Sequence, residues 1–212
     1  MIDKLLKRLY FFNIDAYFLF RKDIANPSGA EITDDSYSTR EIISTEDKDF
    51  ERLCLLWNEA YHENDQVASI TGRKELTELL MNGDVCCCLM YGQELVGMGW
   101  LSMLNSQKLP DFSTCLKGMS DAGLNHHDYI TKKHRGKGLL SRIHYEQEKI
   151  LRQREKKQYY TFVGVNNFAS VRQHLKTQDE YKLIYHVKID IPFFNFNLYP
   201  SYRSSSWKSC DA

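Results

Sequence analysis

Hydrophobic residues recur along the chain with two different spacings, one typical of helices and one typical of strands. Within residues 46–62 they follow helical spacing, which predicts an amphipathic helix with Thr45 as its N-cap. Within residues 183–191 they alternate with polar residues, which predicts a half-exposed strand. The other predicted elements are strands at 40–44, 85–91, 94–104, 122–130 and 159–165, and helices at 72–82, 139–154 and 168–177. This order predicts an α/β fold, a mixed central sheet flanked by helices on both faces.

The two ends of the chain fall outside this pattern. Residues 1–38 predict an N-terminal extension, because a Pro-Ser-Gly turn and a polar stretch precede the first strand of the pattern. Residues 39–200 then form one domain, and the serine-rich residues 201–212 predict a loose tail. The aromatic run at residues 9–20 is too short and too polar to be an integral membrane span, and it favours a buried strand or hairpin packed on the domain. Its alternative is a peripheral contact with a membrane surface or a partner.

Composition narrows the functional classes. The 28 basic and 28 acidic residues give a formal net charge of +0, so nothing global favours nucleic acid as a partner. The 6 cysteines lack metal-ligand spacing and no secretory signal is recognised, which predicts reduced thiols, no metal and a cytoplasmic location. Cys86, Cys87 and Cys88 are expected to be small hydrophobic residues that point to alternating faces of a strand.

The most informative segment is residues 128–140, where a strand ends, a basic glycine loop follows and a helix begins. Gly136 and Gly138 have no side chain, so a ligand can approach the backbone closely. Successive amides and the positive end of the helix dipole suit an anion such as pyrophosphate. The charged residues of the loop are Lys132, Lys133, Arg135 and Lys137. From these residues alone, an ordinary turn with a solvated basic face explains the loop equally well.

The loop resembles the pyrophosphate motif of the GNAT superfamily of N-acetyltransferases. That motif has Gln or Arg, two further residues, Gly, one residue, and then Gly or Ala. Arg135 and Gly138 match it, whereas Leu140 replaces the small residue at the last position. Ile130 matches the apolar residue that ends the family's fourth strand.

A second GNAT feature is partly present. The family has an Asn after a strand, a small residue three positions later and usually a Tyr seven positions after the Asn. Asn167 and Ser170 match this pattern, and His174 stands in place of the tyrosine. The resemblance covers about residues 40–191 and implies a single GNAT-like domain with acetyl-CoA as co-substrate and no metal.

The resemblance also implies how acetyl-CoA is held and how it reacts. It implies that the backbone of residues 128–130 pairs with the pantetheine arm and that the amides of residues 136–140 hold the pyrophosphate. An amine then attacks the thioester directly, which requires a base, a proton donor for the thiolate and an oxyanion contact. The implied binding residues are Asp128, Tyr129, Ile130, Arg135, Gly136, Lys137, Gly138, Leu139, Leu140, Asn167 and Ser170.

Three residues are the candidates for catalysis. His126 is the expected base, since strand alternation puts it on one face with Asp128 and Ile130, where some GNAT members carry a catalytic histidine. A polar rim position without chemistry is the alternative for this residue. Asp128 is expected to orient His126 or to act as the base through a water molecule. His174 is the candidate acid, and His127 is expected on the opposite face in a structural role.

Three functional hypotheses remain open at this point. The first is an N-acyltransferase that moves an acetyl or other short acyl group from acyl-CoA to a small-molecule amine or a protein amine. The second is a GNAT-like module that binds acyl-CoA or a partner without chemistry, which Leu140 and the missing tyrosine favour. The third is acyl transfer to a membrane-linked or carrier-linked acceptor that docks on residues 1–38. A homodimer is compatible with all three.

Overall fold

The structure is a computed structural model that describes residues 12–25, 34–63, 72–103, 116, 120–189, 203–204 and 206–210. Contacts divide the chain into two compact units, Asp23–Tyr160 and the combination of Met1–Lys22 with Thr161–Ala212. In chain order the elements are β1 (Phe12–Asp23), β2 (Tyr37–Ile42), α1 (Phe50–Glu63), α2 (Gly72–Met81), β3 (Val85–Tyr91), β4 (Glu94–Met103), β5 (Ala122–Ile130), a 3-10 turn (Lys132–His134), α3 (Leu139–Gln153), β6 (Gln158–Gly164), α4 (Phe168–Thr177), β7 (Glu180–Ile189), β8 (Arg203–Ser204) and β9 (Lys208–Ser209).

In the Asp23–Tyr160 unit, strands β2, β3, β4 and β5 form a consecutive antiparallel sheet. The β3–β4 hairpin turns at Gly92, whose φ of 59° lies in the left-handed region that glycine adopts without strain. The β4–β5 register shifts once: Trp100 pairs with His126, but Met98 pairs with Tyr129. Gly99 therefore opposes two residues of β5, which is a β-bulge. This bulge decides which side chains face the candidate site.

Two hydrophobic cores cover the opposite faces of this sheet. Helices α1 and α2 cover one face, where Trp57 of α1 meets Trp100 of β4 edge to face at 6.0 Å. Helix α3 covers the other face with Leu139, Ile143 and Ile150, which are all buried. Each such fully buried side chain contributes roughly 1.5–3 kcal/mol, so the three helices are held mainly by these apolar stripes.

The three consecutive cysteines confirm the predicted alternation. Cys86 and Cys88 lie in the core under α1 and α2, whereas Cys87 lies in the core under α3. All three are buried free thiols, and burial raises the pKa of Cys86 and of Cys87. The Cys86 and Cys87 thiols are therefore protonated side chains of the core rather than nucleophiles.

One helix start differs from its prediction. Helix α1 begins at Phe50 rather than behind Thr45. The Asp47 carboxylate accepts the Asp49 amide at 2.9 Å, and the Asp47 carbonyl accepts the Phe50 amide at 2.9 Å. This local turn uses the backbone groups that a Thr45 cap would have organised, so the helix starts later. The Thr71 cap expected for α2 lies outside the described residues.

In the other unit, β1 pairs with β7 in antiparallel register from Phe12 with Ile189 to Arg21 with Glu180. Part of the predicted N-terminal extension is thus a strand of a sheet, as the buried-strand interpretation expected for residues 12–20. Residues 9–11 lie outside the described residues. The domain boundaries at residues 38 and 200 stay predictions. Among the described residues, no helix combines the length and the apolarity that crossing a bilayer requires.

Candidate active site

The predicted glycine loop connects β5 to α3. The Thr131 amide donates to the Val96 carbonyl at 2.9 Å, which fixes the end of β5 against β4. Gly136 and Gly138 then adopt left-handed φ values of 77° and 72°. Gly138 is the N-cap of α3, and as a glycine it has no side chain to accept the first amides of the helix. A Cβ at Gly136 would meet nothing within 4 Å, so the space before the loop is open.

The charges around this loop suit an anion. No acidic residue lies in the first turn of α3, so nothing there opposes the positive end of the helix dipole. The Lys133 side chain is exposed beside the loop. The Lys137 ammonium donates to the Tyr37 hydroxyl at 2.9 Å, and this hydrogen bond raises the pKa of Lys137. Lys137 is therefore a fixed positive charge next to Gly136 and Gly138.

Arg135 does not add its charge to the loop in the way the sequence suggested. Its Nη1 and Nη2 atoms donate to the two Glu63 carboxylate oxygens, each at 2.7 Å, and its Nε atom donates to the Ile130 carbonyl at 2.8 Å. The bonds from Arg135, with one from Tyr129, lower the pKa of Glu63 to about 2. The Arg135 guanidinium thus ties the loop to the last turn of α1, a partner that no local sequence pattern reveals.

The leucines that begin α3 are part of the scaffold. Leu139 is buried in the core between α3 and the sheet, and Leu140 packs against the same core. The Leu140 side chain therefore points into the protein and does not enlarge the loop. Only the backbone of these two residues is suited to the predicted contact with a phosphate.

The β5 bulge overturns the predicted arrangement of the two histidines. His127 has a φ of 54°, so the strand does not alternate at this point. The Nδ1 atoms of His126 and His127 lie 2.5 Å apart, and the His127 ring lies 4.9 Å from the Trp57 ring of α1. Both histidines therefore face the α1 side of the sheet. The prediction that His127 points to the face opposite His126 is wrong.

The bulge also separates His126 from Asp128. The Asp128 carboxylate accepts from Asn125 at 2.6 Å and lies 2.8 Å from His144 of α3. Asp128 and Ile130 thus face the α3 side, away from His126, so the predicted orientation of His126 by Asp128 is wrong. Through Asn125 the network reaches Gln147, whose side chain also accepts from Tyr159 at 2.7 Å. Asp128 is one end of a buried polar network that holds β5 on α3.

A small recess opens between α1 and the bulge. Its volume is about 130 Å³, and its lining consists of Trp57, Ala60, Tyr61, Met98, His127, Asp128 and Tyr129. His127 retains exposed surface there, yet the surrounding protein atoms and then His126 lower its pKa, while Asp128 raises it. His127 is consequently neutral at neutral pH, and by itself it is a weaker base than a free histidine. One sequence signal for this recess was missed: Gly99 lies inside a strand, and such a glycine often marks a bulge.

The neighbouring Tyr129 connects the recess to α1. Its hydroxyl donates to Glu59 at 2.9 Å and to Glu63 at 2.6 Å. Burial, followed by these two carboxylates, raises the pKa of Tyr129, so its phenol remains protonated. Its side chain is thus held by hydrogen bonds to α1, and only its backbone is suited to the predicted role in binding.

The remaining predicted residues lie in the unit that contains α4. Asn167 caps this helix by accepting the Ser170 amide at 3.2 Å, as its position before the helix predicts. His174 is buried rather than on the surface, and its Nδ1 atom lies 2.8 Å from the Ser170 carbonyl. Its ring also stacks on Phe20 at 5.3 Å. These contacts explain the three residues structurally, and their roles in binding and catalysis stay predictions.

Comparison with known proteins yields no family model and no curated protein that matches the chain. Solved structures do match it. A GCN5-related N-acetyltransferase from Sphaerobacter thermophilus aligns with a TM-score of 0.58 and 11% identity over 92% of this chain and 58% of its own. A tandem GNAT protein from the clavulanic acid biosynthesis pathway aligns with a TM-score of 0.54 and 15% identity, over 86% of this chain and 55% of its own length. The chain has the GNAT fold.

A third match has the GNAT fold within a larger protein. It is a glucosamine N-acetyltransferase region of a fungal multi-domain β-N-acetylglucosaminidase, with a TM-score of 0.55 and 11% identity over 80% of this chain. This chain spans 21% of that protein, and under two thirds of the other two. At these identities the likeness establishes the fold, and it confirms the predicted α/β architecture.

Proposed function

We propose that the chain is an N-acyltransferase that moves an acetyl or other short acyl group from acyl-CoA to an amine. The observation that carries this proposal is the glycine loop at the start of α3. Its two left-handed glycines, its open front and its fixed Lys137 charge match what a pyrophosphate requires. The resemblance to GNAT proteins, which expects the nucleotide at such a loop, supports the proposal.

Different groups around the loop would bind different parts of acyl-CoA. The amides of residues 136–140 would hold the pyrophosphate, with Lys133 and Lys137 supplying positive charge. The backbone of residues 128–130 would pair with the pantetheine arm, next to the recess that Asp128 and Tyr129 line. Bound acyl-CoA supplies the activated thioester, and the recess would admit the amine that attacks it.

Calorimetric titration with CoA and acetyl-CoA tests the binding site, with pantetheine as the ligand that lacks the nucleotide. We expect CoA and acetyl-CoA to bind and pantetheine to bind at least about tenfold more weakly, a difference of roughly 1.4 kcal/mol. Thiol release in the presence of an amine panel then tests the reaction. Failure of CoA and acetyl-CoA to bind at millimolar concentration would contradict the proposal.

One observation favours the alternative function, a module that binds acyl-CoA without catalysing acyl transfer. His174, which replaces the family's tyrosine, is buried and lies 2.8 Å from the Ser170 carbonyl, so its Nδ1 atom has a structural partner. A module that only binds acyl-CoA predicts normal affinity for CoA and no thiol release with any amine. One amine that is acylated at a measurable rate excludes that alternative. A cytoplasmic location, a homodimer and a contact through residues 9–20 stay predictions.

A further inference from the structure

We propose that His127 is the base that deprotonates the amine, and that His126 and Asp84 form a buried proton store behind it. The inference rests on the proposed acyl transfer and names the residues that perform its proton chemistry. It replaces His126, the base that strand alternation suggested, with its neighbour. Three observations carry it: the position of His127, its contact with His126 and the burial of Asp84.

His127 is the histidine that can meet a substrate. It lines the recess and retains exposed surface, whereas His126 is buried with 6% exposure. Asp128 and Tyr129, which also line the recess, carry the backbone predicted to bind the pantetheine arm. A base in this recess therefore lies beside the strand segment where the thioester is expected. Proton transfer requires such proximity before any matching of acidity.

His127 and His126 form a continuous path for a proton. Their Nδ1 atoms are 2.5 Å apart, which requires that one carries hydrogen and the other accepts it. The Nε2 atom of His126 lies 2.8 Å from the Ser102 hydroxyl and 3.7 Å from the Asp84 carboxylate. A proton taken up at His127 Nε2 can thus move the shared proton onto His126, which leaves His127 neutral again.

Asp84 explains why His126 can hold the positive charge. It precedes β3 and has 2% exposure, and its Oδ1 atom has no hydrogen-bond partner in the described part of the chain. A buried carboxylate is costly unless a positive charge is near, and the protonated His126 ring supplies one. The charged groups that affect His127 are His126 and Asp128, and α1 presents the neutral Trp57 ring to it.

The stoichiometry of the reaction decides where each proton goes. An ammonium acceptor loses two protons when its nitrogen forms the amide, and the leaving thiolate takes up one. The ammonium releases the first proton to solvent as it enters the recess. When the nitrogen attacks the thioester carbon, the His127 Nε2 atom accepts the second proton and the proton shared with His126 moves onto the His126 ring. As the C–S bond breaks, His127 Nε2 donates its proton to the sulfur and the shared proton returns from His126 to His127.

Kinetics of His127→Gln, Asp84→Asn and the exposed control His62→Gln test the proposal. We expect His127→Gln to lower kcat by at least ~100-fold, within the range of general-base catalysis, while affinity for CoA stays within twofold. Asp84→Asn should shift the acidic limb of the kcat/KM profile to lower pH, because it removes the charge that favours protonated His126. His62→Gln should change neither quantity.

The outcomes separate the two proposals. Normal CoA binding and acyl transfer with His127→Gln within threefold of wild type would overturn the base assignment and leave the proposed function intact. Absence of CoA binding by the wild-type protein would overturn the proposed function itself. Histidine-ring NMR of the wild type tests the pair even if Asp84→Asn does not fold. One N–H proton should be shared between the two Nδ1 atoms, and spectra without a hydrogen bond between the two rings would refute the shared proton.

Discussion

Replacing Gly136 by Glu tests the anion site at its most open position. Gly136 has a φ of 77°, and a Cβ there meets nothing within 4 Å, so the new side chain fits without a steric clash. It would place a carboxylate at the front of the loop, where the pyrophosphate is expected to bind. Gly92→Glu is the matched control, because Gly92 also has a positive φ, 59°, and an open front, but lies in the β3–β4 turn.

The expected magnitude separates backbone strain from charge repulsion. A left-handed non-glycine residue costs about 1–2 kcal/mol, so both variants should unfold more easily by a similar amount. A carboxylate about 5 Å from one phosphate charge adds roughly 0.8 kcal/mol at the dielectric constant of water and roughly 3 kcal/mol at an effective constant near 20. Gly136→Glu should therefore weaken CoA binding by about 4-fold to 150-fold.

Calorimetry at two salt concentrations provides the assay. The affinity of Gly136→Glu for CoA should approach that of wild type as salt rises toward ~1 M, where the screening length falls to ~3 Å. Denaturant unfolding of both variants supplies the strain correction. If Gly136→Glu and Gly92→Glu bind CoA equally well after this correction, the loop does not hold the pyrophosphate.

Three further predictions follow from contacts in the same unit. Glu63→Gln should lower the unfolding free energy at pH 7 by about 0.5–1 kcal/mol in denaturant melts, since a partly exposed bidentate pair with Arg135 is lost. The stability of this variant should also respond less to pH between about 4.5 and 2, where the wild type loses the pair. Gly99→Ala should cost about 1–3 kcal/mol in the same assay, because its Cβ would lie 2.5 Å from Asp128 and 2.6 Å from Ile143. In the wild type, the unfolded state binds a proton at position 127 at higher pH than the folded state, so the free energy of unfolding falls as the pH drops below 6.5. His127→Gln should make this fall shallower, and an unchanged slope of unfolding free energy against pH would contradict the lowered pKa of His127.

Most elements could be predicted because their signals are local. The β5 strand and α4 have the predicted bounds, since both are bordered by residues that end regular structure. The β3–β4 hairpin is marked by its turn, and the start of α3 is marked by Gly138. The starts of β2 and β7 lie a few residues before the predicted ones, and α1 starts later than predicted because a side-chain turn at Asp47 competed with the cap at Thr45. Periodicity and turn signals thus suffice for most of the scaffold but not for β8 and β9, which lie in the predicted loose tail and pair with β7.

The site was predicted less completely because its key contacts are not local. Arg135 was identified as part of the loop, but its partner Glu63 lies 72 residues earlier in the chain. The sequence placed His126 and Asp128 on one face, which requires strict alternation along β5. That alternation depends on the residue opposite them in β4, and Gly99 lies opposite two residues instead of one. No pattern within β5 contains this information.

The bulge therefore links the fold to the proposed chemistry. An unbroken β5 would send His127 to the α3 side, where Asp128 now interacts with Asn125 and His144. Insertion of one extra residue keeps both histidines toward α1 and brings their rings to 4.8 Å from each other. The close packing that Gly99 permits against Asp128 makes this geometry possible. A larger residue at position 99 should consequently disturb the histidine pair before it disturbs the glycine loop, so acyl transfer should fall while affinity for CoA is kept.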